Sequence, residues 1–261
     1  MTGSRIGWPE ATSRLEPVDL AELDAAAALQ TRTDRKYLVS PADWAVALGS
    51  LDPAPRVLEI DGLRTFRYES VYYDTPELTS YRSAAHRRPA RFKVRTRHYI
   101  ETGTHAIEVK LRSRTGETVK HREWLEPARV QGSAGPFLPA AARTFVAGFG
   151  ETAGAVGALR ETLTTSYART TLLTADARVT VDSHVTGRAA SGEAVDFGSA
   201  LIVETKSASR AGAVDRALWA LGIRPSRVSK YCTSLAALRP ELPANRWART
   251  LRRHVTVPQP A

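Results

Sequence analysis

Residues 91–99 read RFKVRTRHY, and a cation occupies every second position from Arg91 to Arg97. A period of two is the period of a β-strand, whose side chains point alternately to opposite faces. The four cations would therefore project from one face, close enough to repel one another. Either water solvates that face or an anion lies against it, and the choice between the two constrains both fold and function.

Charged residues with the same spacing recur in four other segments. The sets are Glu108, Lys110, Arg112 and Arg114; Lys120 and Arg122; Glu204 and Lys206; and Arg32, Asp34 and Lys36. Apolar residues occupy the alternate positions, as in Ile107, Val109 and Leu111. One such strand alone is typical of the solvated face of a sheet. Several together favour an anion, because cations that face each other across strands destabilise a sheet.

The order of predicted elements indicates the fold class. About eight strand-like segments are interleaved with helical ones, and the strands over 91–100, 104–112 and 117–126 are separated by short connections typical of hairpins. Ser40 and Pro41 predict an N-cap and the first position of a helix. We therefore predict an α+β fold: a closed antiparallel β-barrel of about eight strands that forms a basic tunnel, flanked by helices.

We divide the chain into residues 1–29 as a leader and helix, 30–240 as the tunnel domain, and 241–261 as a basic tail. The formal net charge of +10 favours an anionic partner. The single cysteine, Cys232, excludes an intrachain disulfide, and no apolar run is long enough to span a bilayer. These features predict a cytoplasmic protein. Of the 37 basic residues only six are lysine, and all six lie in or beside the strand-like segments or after a Pro-Ser turn.

An ordered set of segments resembles the polyphosphate polymerase domain of the vacuolar transporter chaperone (VTC) family, within the triphosphate tunnel metalloenzymes. The segments are RTDRKYLV, SVYYDTPELTSYR, KVRTRHY, EVKLR, VKHREWL, YARTTLLTADARVTVD, IVETK and PSRVSKY, which together cover about residues 30–240. An ordered set of this kind is far more specific than any one of its pieces. The resemblance implies transfer of the ATP γ-phosphoryl group to a growing polyphosphate chain, with Mn²⁺ or Mg²⁺ as cofactor.

The resemblance also implies roles for individual residues. Catalytic contacts to phosphate fall on Lys36, Lys93, Arg95, Arg97, Lys110, Lys120, Arg169 and Arg178. Further substrate contacts fall on Arg32, Arg91, Lys206, Arg227, Ser229 and Lys230. Glu204 is the implied metal ligand, with Glu108 and Asp182 as additional candidates. The implied partners are ATP and inorganic polyphosphate, with a membrane protein contacted by the basic tail as a further candidate.

Two departures from the family pattern bear on the reaction. Related triphosphatases and class IV adenylate cyclases begin with a Glu-x-Glu-x-Lys strand, whereas this chain has Arg32, Asp34 and Lys36. The missing carboxylate favours the polymerase branch over the hydrolase branch. Arg227 stands where the family often has lysine, which keeps the charge but changes the geometry.

Three alternatives stay open at this point. A tunnel phosphohydrolase would act on inorganic triphosphate or a nucleoside triphosphate, but it needs a carboxylate to activate water, and acids are scarce on the cationic faces. A non-catalytic module would bind polyphosphate without turnover. A nucleic-acid binder would need an exposed basic surface with stacking aromatic side chains. No specific nucleic acid is expected, although exposed basic faces in the structure would favour that alternative.

Overall fold

The computed structural model describes residues 8–28, 33–126, 137–207 and 210–257. Its strands are β1 (Pro17–Val18), β2 (Thr33–Val39), β3 (Arg56–Leu58), β4 (Phe66–Asp74), β5 (Arg91–Tyr99), β6 (Thr104–Arg112), β7 (Thr118–Leu125), β8 (Arg160–Leu173), β9 (Ala177–Ala189), β10 (Ala194–Asp196) and β11 (Leu201–Ser207). Its α-helices are α1 (Trp8–Ser13), α2 (Leu20–Ala28), α3 (Pro41–Gly49), α4 (Thr79–Ala85), α5 (Ala140–Ala147), α6 (Gly150–Ala153), α7 (Ala213–Ala220), α8 (Lys230–Leu238) and α9 (Ala248–His254). The prediction of an α+β fold is confirmed.

The hydrogen-bonded strand order is β2-β11-β9-β8-β4-β5-β6-β7. The ladders of β2, β11 and β9, and those of β4, β5, β6 and β7, are antiparallel, as predicted. The prediction of a closed barrel is wrong. β2 and β7 end the order, and no ladder joins them among the described residues, whereas closure requires the first and last strands to pair. The alternation of faces is the same in an open and a closed sheet, so the sequence pattern did not distinguish them.

The chain divides into two compact units. The first contains the described residues of 1–66, 168–184 and 197–228, and the second contains those of 67–167, 185–196 and 229–261. The long strands β8 and β9 pass through both units. The residues predicted to bind phosphate and metal are thus distributed over two units.

The core of the first unit lies on the apolar face of β2, β11 and β9. Tyr37, Val203 and Val181 project from this face and pack with Trp44 of α3 and Leu218 of α7. The helix α3 begins where predicted, since the Ser40 hydroxyl accepts a hydrogen bond from the backbone of Asp43 at 3.0 Å. Burial of this face directs Lys36, Asp182, Glu204 and Lys206 to the other face. Arg35 is the exception: it shares the face of Tyr37 and pairs there with the buried Asp215 at 3.3 Å.

The core of the second unit lies on the apolar face of β5 and β6. Val94, Ile107 and Val109 pack there with Leu138 and with Val146 of α5. A shift of one residue in strand register would exchange the two faces and bury the cations, so this core specifies the register strongly. The predicted division into one apolar and one charged face is confirmed for these strands.

Residues Ala248–His254 of the basic tail form α9. Arg249, Arg252 and Arg253 are exposed, while Leu251 packs against a core cluster of the second unit. The helix is therefore amphipathic. Within the described ranges, no helix combines the length and the apolar character needed to cross a bilayer.

Candidate functional site

The register of β5, β6 and β7 arranges one set of alternate residues in rows, which together form a surface here called the cationic face. From one end the rows are Arg91, Arg112 and Thr118; then Lys93, Lys110 and Lys120; then Arg95, Glu108 and Arg122; then Arg97, Ala106 and Trp124. These four rows hold eight cations and one carboxylate. Like charges directly opposite each other on neighbouring strands destabilise a sheet. This face therefore carries a large excess of positive charge.

Glu108 is the carboxylate around which cations of the second and third rows converge. Its Oε2 accepts from Arg95 Nε and Nη2 at 2.8 and 2.6 Å, and its Oε1 accepts from Lys120 Nζ and Arg122 Nε at 3.1 and 3.0 Å. Burial of this side chain, which is 2% exposed, would raise its pKa. The surrounding cations, Arg95 and Arg97 foremost, outweigh burial and hold the pKa of Glu108 well below its usual range. Glu108 is therefore a permanent counter-charge.

Arg95 is held by a second set of contacts on its other side. Its Nη1 donates to the Tyr72 hydroxyl at 2.8 Å, and the Tyr72 ring stacks on Tyr231 with centroids 5.0 Å apart. The Tyr231 hydroxyl in turn donates to the buried carboxylate of Asp74 at 2.7 Å. Asp74 also accepts from two backbone N–H groups at the start of α4. The guanidinium of Arg95 is thus positioned through a chain of buried contacts.

Arg97 lies deeper than Arg95. Its side chain is 6% exposed, and its Nη2 and Nε donate to the Tyr167 and Ser70 hydroxyls at 2.8 and 3.3 Å. Its guanidinium also lies 5.3 Å from the ring centroid of Tyr68. Arg97 therefore contributes positive charge to the face from a buried position, with protein groups as its hydrogen-bond acceptors.

The N-terminus of α8 brings two further predicted residues to the second unit's site. Ser229 caps the helix by accepting from the backbone of Cys232, and its hydroxyl also accepts from Lys93 Nζ at 2.8 Å. Lys230 Nζ lies 4.1 Å from the ring centroid of Tyr167. The motif PSRVSKY thus places a hydroxyl and an ammonium beside residues that contact or belong to the cationic face.

Lys120 carries a charge that depends on pH near neutrality. Partial burial, together with the positive charge of Arg122, lowers the pKa of Lys120 to about 8, although Glu108 acts in the opposite direction. The ammonium is protonated below that pH and becomes neutral above it. The cationic face therefore loses one positive charge as the pH rises through about 8.

The predicted residues of the first unit form ion pairs. The pairs are Lys36 with Glu204 at 2.5 Å, Arg169 with Asp182 at 2.6 Å and Arg178 with Asp24 at 2.9 Å. Lys206 of β11 lies opposite both Asp34 and Arg178 in the strand register. The charged face of this unit therefore mixes signs, unlike the cationic face of the second unit.

The three carboxylates predicted as metal ligands differ in their fitness for that role. Both oxygens of Glu108 accept from cations, and both oxygens of Asp182 accept from Arg169. Glu204 is 16% exposed and contacts Lys36 through Oε2; burial would raise its pKa, but Lys36 and Lys206 hold it well below its usual range. No group of three or more His, Cys, Asp or Glu side chains within the described ranges could hold a metal ion. Glu204 fits a divalent cation as one hard oxygen ligand.

The predicted set of site residues and the observed site differ at four residues. Arg32 lies outside the described residues, and Arg227 is exposed in the segment between α7 and α8. Arg122 and Tyr72 were not among the predicted site residues. Arg122 has the period-two relation to Lys120 that could have identified it, whereas the contact of Tyr72 with Arg95 depends on the pairing of β4 with β5.

The sequence matches one protein-family model, and the fold resembles several solved structures. A family model described as VTC domain matches residues 31–239. No curated protein matches the sequence. A candidate adenylate cyclase from Bacillus halodurans is 14% identical over 77% of this chain and 94% of that chain, with a TM-score of 0.48. A candidate adenylyl cyclase from Hippeastrum, described as having a dominant triphosphatase activity, is 15% identical over 83% of this chain and 100% of that chain, with a TM-score of 0.47. At these scores the alignments assign no role to individual side chains.

The substitution Glu108→Gln tests whether this carboxylate stabilises the cationic face. It removes the buried counter-charge at nearly constant volume, so the free energy of unfolding should fall by about 3 kcal/mol in urea denaturation. Added tripolyphosphate should restore part of the loss, because its oxygens can neutralise the same cations. Glu123→Gln, on the opposite face of β7, is the matched control and should change little. Equal stability of the two variants would show that Glu108 is not the stabilising charge.

Lys120→Arg tests the pH dependence of the face. Because the wild-type ammonium loses its proton above a pKa of about 8, tripolyphosphate affinity should weaken by an additional, several-fold amount between pH 7 and pH 9. Arginine stays protonated over this range, so the variant should lack that component. Isothermal titration calorimetry at pH 7, 8 and 9 measures both proteins, and any change in the charge of tripolyphosphate cancels in the comparison. Identical pH profiles would contradict the assignment.

Proposed function

The chain belongs to the VTC domain family, and on that basis we propose that it is a metal-dependent polyphosphate polymerase. It would transfer the γ-phosphoryl group of ATP to the end of an inorganic polyphosphate chain. The observation that supports this most directly is the cationic face, with eight cations and one carboxylate in four rows. Inorganic polyphosphate is a flexible anion with a charge on every phosphate, and it matches rows of cations repeated along strands.

Phosphoryl transfer requires positioning and charge neutralisation more than covalent chemistry from the protein. Lys93, Lys110 and Lys120 form one row across three strands and would neutralise the phosphates. Arg95 has five N–H donors, of which three are engaged by Glu108 and Tyr72 among the described residues, and the others would bind phosphate oxygens. These contacts would hold the triphosphate of ATP and the end of the polyphosphate chain in position for the reaction.

In the reaction, a terminal oxygen of the acceptor chain forms a bond to the γ-phosphorus of ATP. The bond between that phosphorus and the β–γ bridging oxygen breaks, and ADP leaves with the electron pair. The acceptor oxygen is already ionised at neutral pH, so no side chain has to remove a proton. The cationic side chains stabilise the charge that accumulates on the leaving diphosphate.

The family also implies a divalent cation. Glu204 of the first unit is the carboxylate that would hold Mg²⁺ or Mn²⁺, and such an ion when bound supplies Lewis-acid charge. The contact with Lys36 and the low pKa keep this carboxylate ionised, which is the form that binds a metal.

The state of the carboxylates supports transfer to phosphate over transfer to water. A hydrolase uses a base whose pKa lies near the working pH. Glu108 and Glu204 have pKa values well below the usual range, and Asp182 is bonded through both oxygens to Arg169. Each is therefore a weak base that already has a cationic partner, and none of these three is suited to activate water.

One observation favours a second candidate function. Lys110, Arg112, Lys120 and Arg122 are exposed on the cationic face beside the exposed ring of Trp124. A basic surface with a stacking aromatic side chain is typical of proteins that bind single-stranded nucleic acid. Family membership favours phosphate chains as the ligand, and nucleic acid is therefore the second candidate.

The products of the purified protein with ATP and Mn²⁺ test the proposal. Wild-type protein should form long-chain polyphosphate, resolved by gel electrophoresis, with one ADP released for each phosphate added. Lys93→Ala combined with Arg95→Ala should reduce synthesis at least a hundredfold, because it removes charge from two adjacent rows. Arg252→Ala combined with Arg253→Ala removes two exposed arginines from α9 and is the matched control, which should retain activity.

Other results of these assays would contradict the polymerase and indicate a different function. Free phosphate without polymer would indicate a phosphohydrolase, and binding of polyphosphate without turnover would indicate a non-catalytic module. Single-stranded DNA that binds more tightly than polyphosphate, with no product from ATP, would favour the nucleic-acid alternative. Melting temperatures of the variants must show that both double variants are folded.

Glu204→Gln tests the metal site. The amide keeps the shape of the side chain but loses the charge, so the Mn²⁺ affinity of the protein should fall about tenfold or more, together with activity. Glu151→Gln, an exposed position on α6, is the control. Undiminished Mn²⁺ affinity and activity in Glu204→Gln would place the cation on other residues.

A further inference from the structure

Trp124 is the most exposed large hydrophobic side chain among the described residues, at 59% of its full exposure. It lies in the fourth row of the cationic face, opposite Ala106 in the strand register. Exposure of a large aromatic side chain forgoes the free energy that its burial would provide, so an exposed ring beside a binding surface is a candidate contact for a ligand. The phosphate contacts proposed above leave this ring unused.

The ring of Trp124 contacts the ring of Tyr99 across small residues of β6. Trp124 on β7 and Tyr99 on β5 are separated by β6, hence by about 9–10 Å of backbone. Their ring centroids nevertheless lie 5.4 Å apart, at an interplanar angle of 49°. The intervening residues on β6 are Ala106 and Thr104, whose small side chains leave room for the two rings to meet.

Arg122 connects this pair of rings to the phosphate-binding rows. Its guanidinium lies 5.3 Å from the ring centroid of Trp124 and 5.8 Å from that of Tyr99, while its Nε donates to Glu108 at 3.0 Å. One arginine therefore contacts both an aromatic surface and the carboxylate around which the cations gather. An aromatic ring next to a row of cations is complementary to a nucleotide, in which a planar base is joined to phosphates.

We propose that Trp124, with Tyr99 and Arg122 beside it, forms the stacking site for the base of the nucleoside triphosphate that donates phosphate. This inference rests on the proposed function, because it assumes that a nucleotide binds the cationic face. A base has an aromatic face whatever its identity, so stacking here would favour large purine rings without selecting among them. The site would discriminate a nucleoside triphosphate from inorganic triphosphate.

The spacing along β7 agrees with a bound nucleotide. Trp124, Arg122 and Lys120 are successive residues on one face of a strand, so Lys120 lies about 13 Å from Trp124 along the strand. A nucleotide stacked on Trp124 would extend its phosphates past Arg122 toward the lysine row. The row of Arg91, Arg112 and Thr118 beyond it contains no aromatic side chain. The base would therefore bind at one end, and the phosphate chain would extend toward the other.

The test compares two probes, ATP and inorganic tripolyphosphate, on the full chain. Trp124→Ala should weaken ATP binding about tenfold, the size typical of one base stacked on one aromatic ring, and change tripolyphosphate binding less than twofold. Trp124→Phe should retain most of the ATP affinity. Because Trp124 is exposed, neither substitution should lower the melting temperature appreciably.

Phe137→Ala is the matched control. Phe137 is also exposed, at 47%, and also has an arginine, Arg160, over its ring at 5.5 Å, but it does not belong to the cationic face. Its substitution should leave the affinity for both probes unchanged. In product assays, Trp124→Ala should raise the KM for ATP with little change in kcat, since stacking acts on binding.

Two outcomes would overturn the stacking site. One is unchanged ATP affinity in Trp124→Ala, including the case in which only affinity for single-stranded DNA falls. The other is an equal loss of affinity for ATP and tripolyphosphate, which would make Trp124 a structural part of the phosphate site. Failure of the wild-type protein to bind either probe would instead overturn the proposed function, so the two failures are distinguishable.

Discussion

The pairing of buried Glu108 on β6 with cations from the two neighbouring strands, β5 and β7, is the interaction on which the cationic face depends. Four rows of positive side chains would otherwise repel one another on a single surface. The carboxylate neutralises the middle of that surface from below, through Arg95, Lys120 and Arg122. The rows of lysine and arginine beyond it contain no carboxylate, and a polyanion would supply the missing charge. One internal anion thus allows the sheet to fold while an external anion is still attracted.

The two faces of the strands depend on each other. The apolar face of β5 and β6 specifies the register, and that register sets which cations lie opposite one another. On the charged face, Tyr72 and Tyr231 connect Arg95 to the buried Asp74. Aromatic stacking and these hydrogen bonds restrict the guanidinium, which lowers the entropy that it would lose on binding an anion.

The two units share the alternation of apolar and charged residues along their strands but differ in the balance of charge. In the first unit Lys36, Arg169 and Arg178 each have a carboxylate partner. In the second unit the cations of the face greatly outnumber its carboxylate. Ion pairing lowers the basicity of carboxylates, and excess cations attract phosphates, so both arrangements agree with transfer of a phosphoryl group to another phosphate.

The sequence by itself determined the alternation of faces, the hairpins joining β5, β6 and β7, the start of α3 at Ser40 and the membership in the VTC domain family. These follow from local periodicity, capping and ordered motifs. Tertiary structure alone decided that the sheet is open, because residues such as Arg95 alternate identically in open and closed sheets. It also decided that Glu108 is the counter-charge of three cations. The sequence does not show which side chains contact a given carboxylate. Only the strand register brings Arg95, Lys120 and Arg122 to the two oxygens of Glu108.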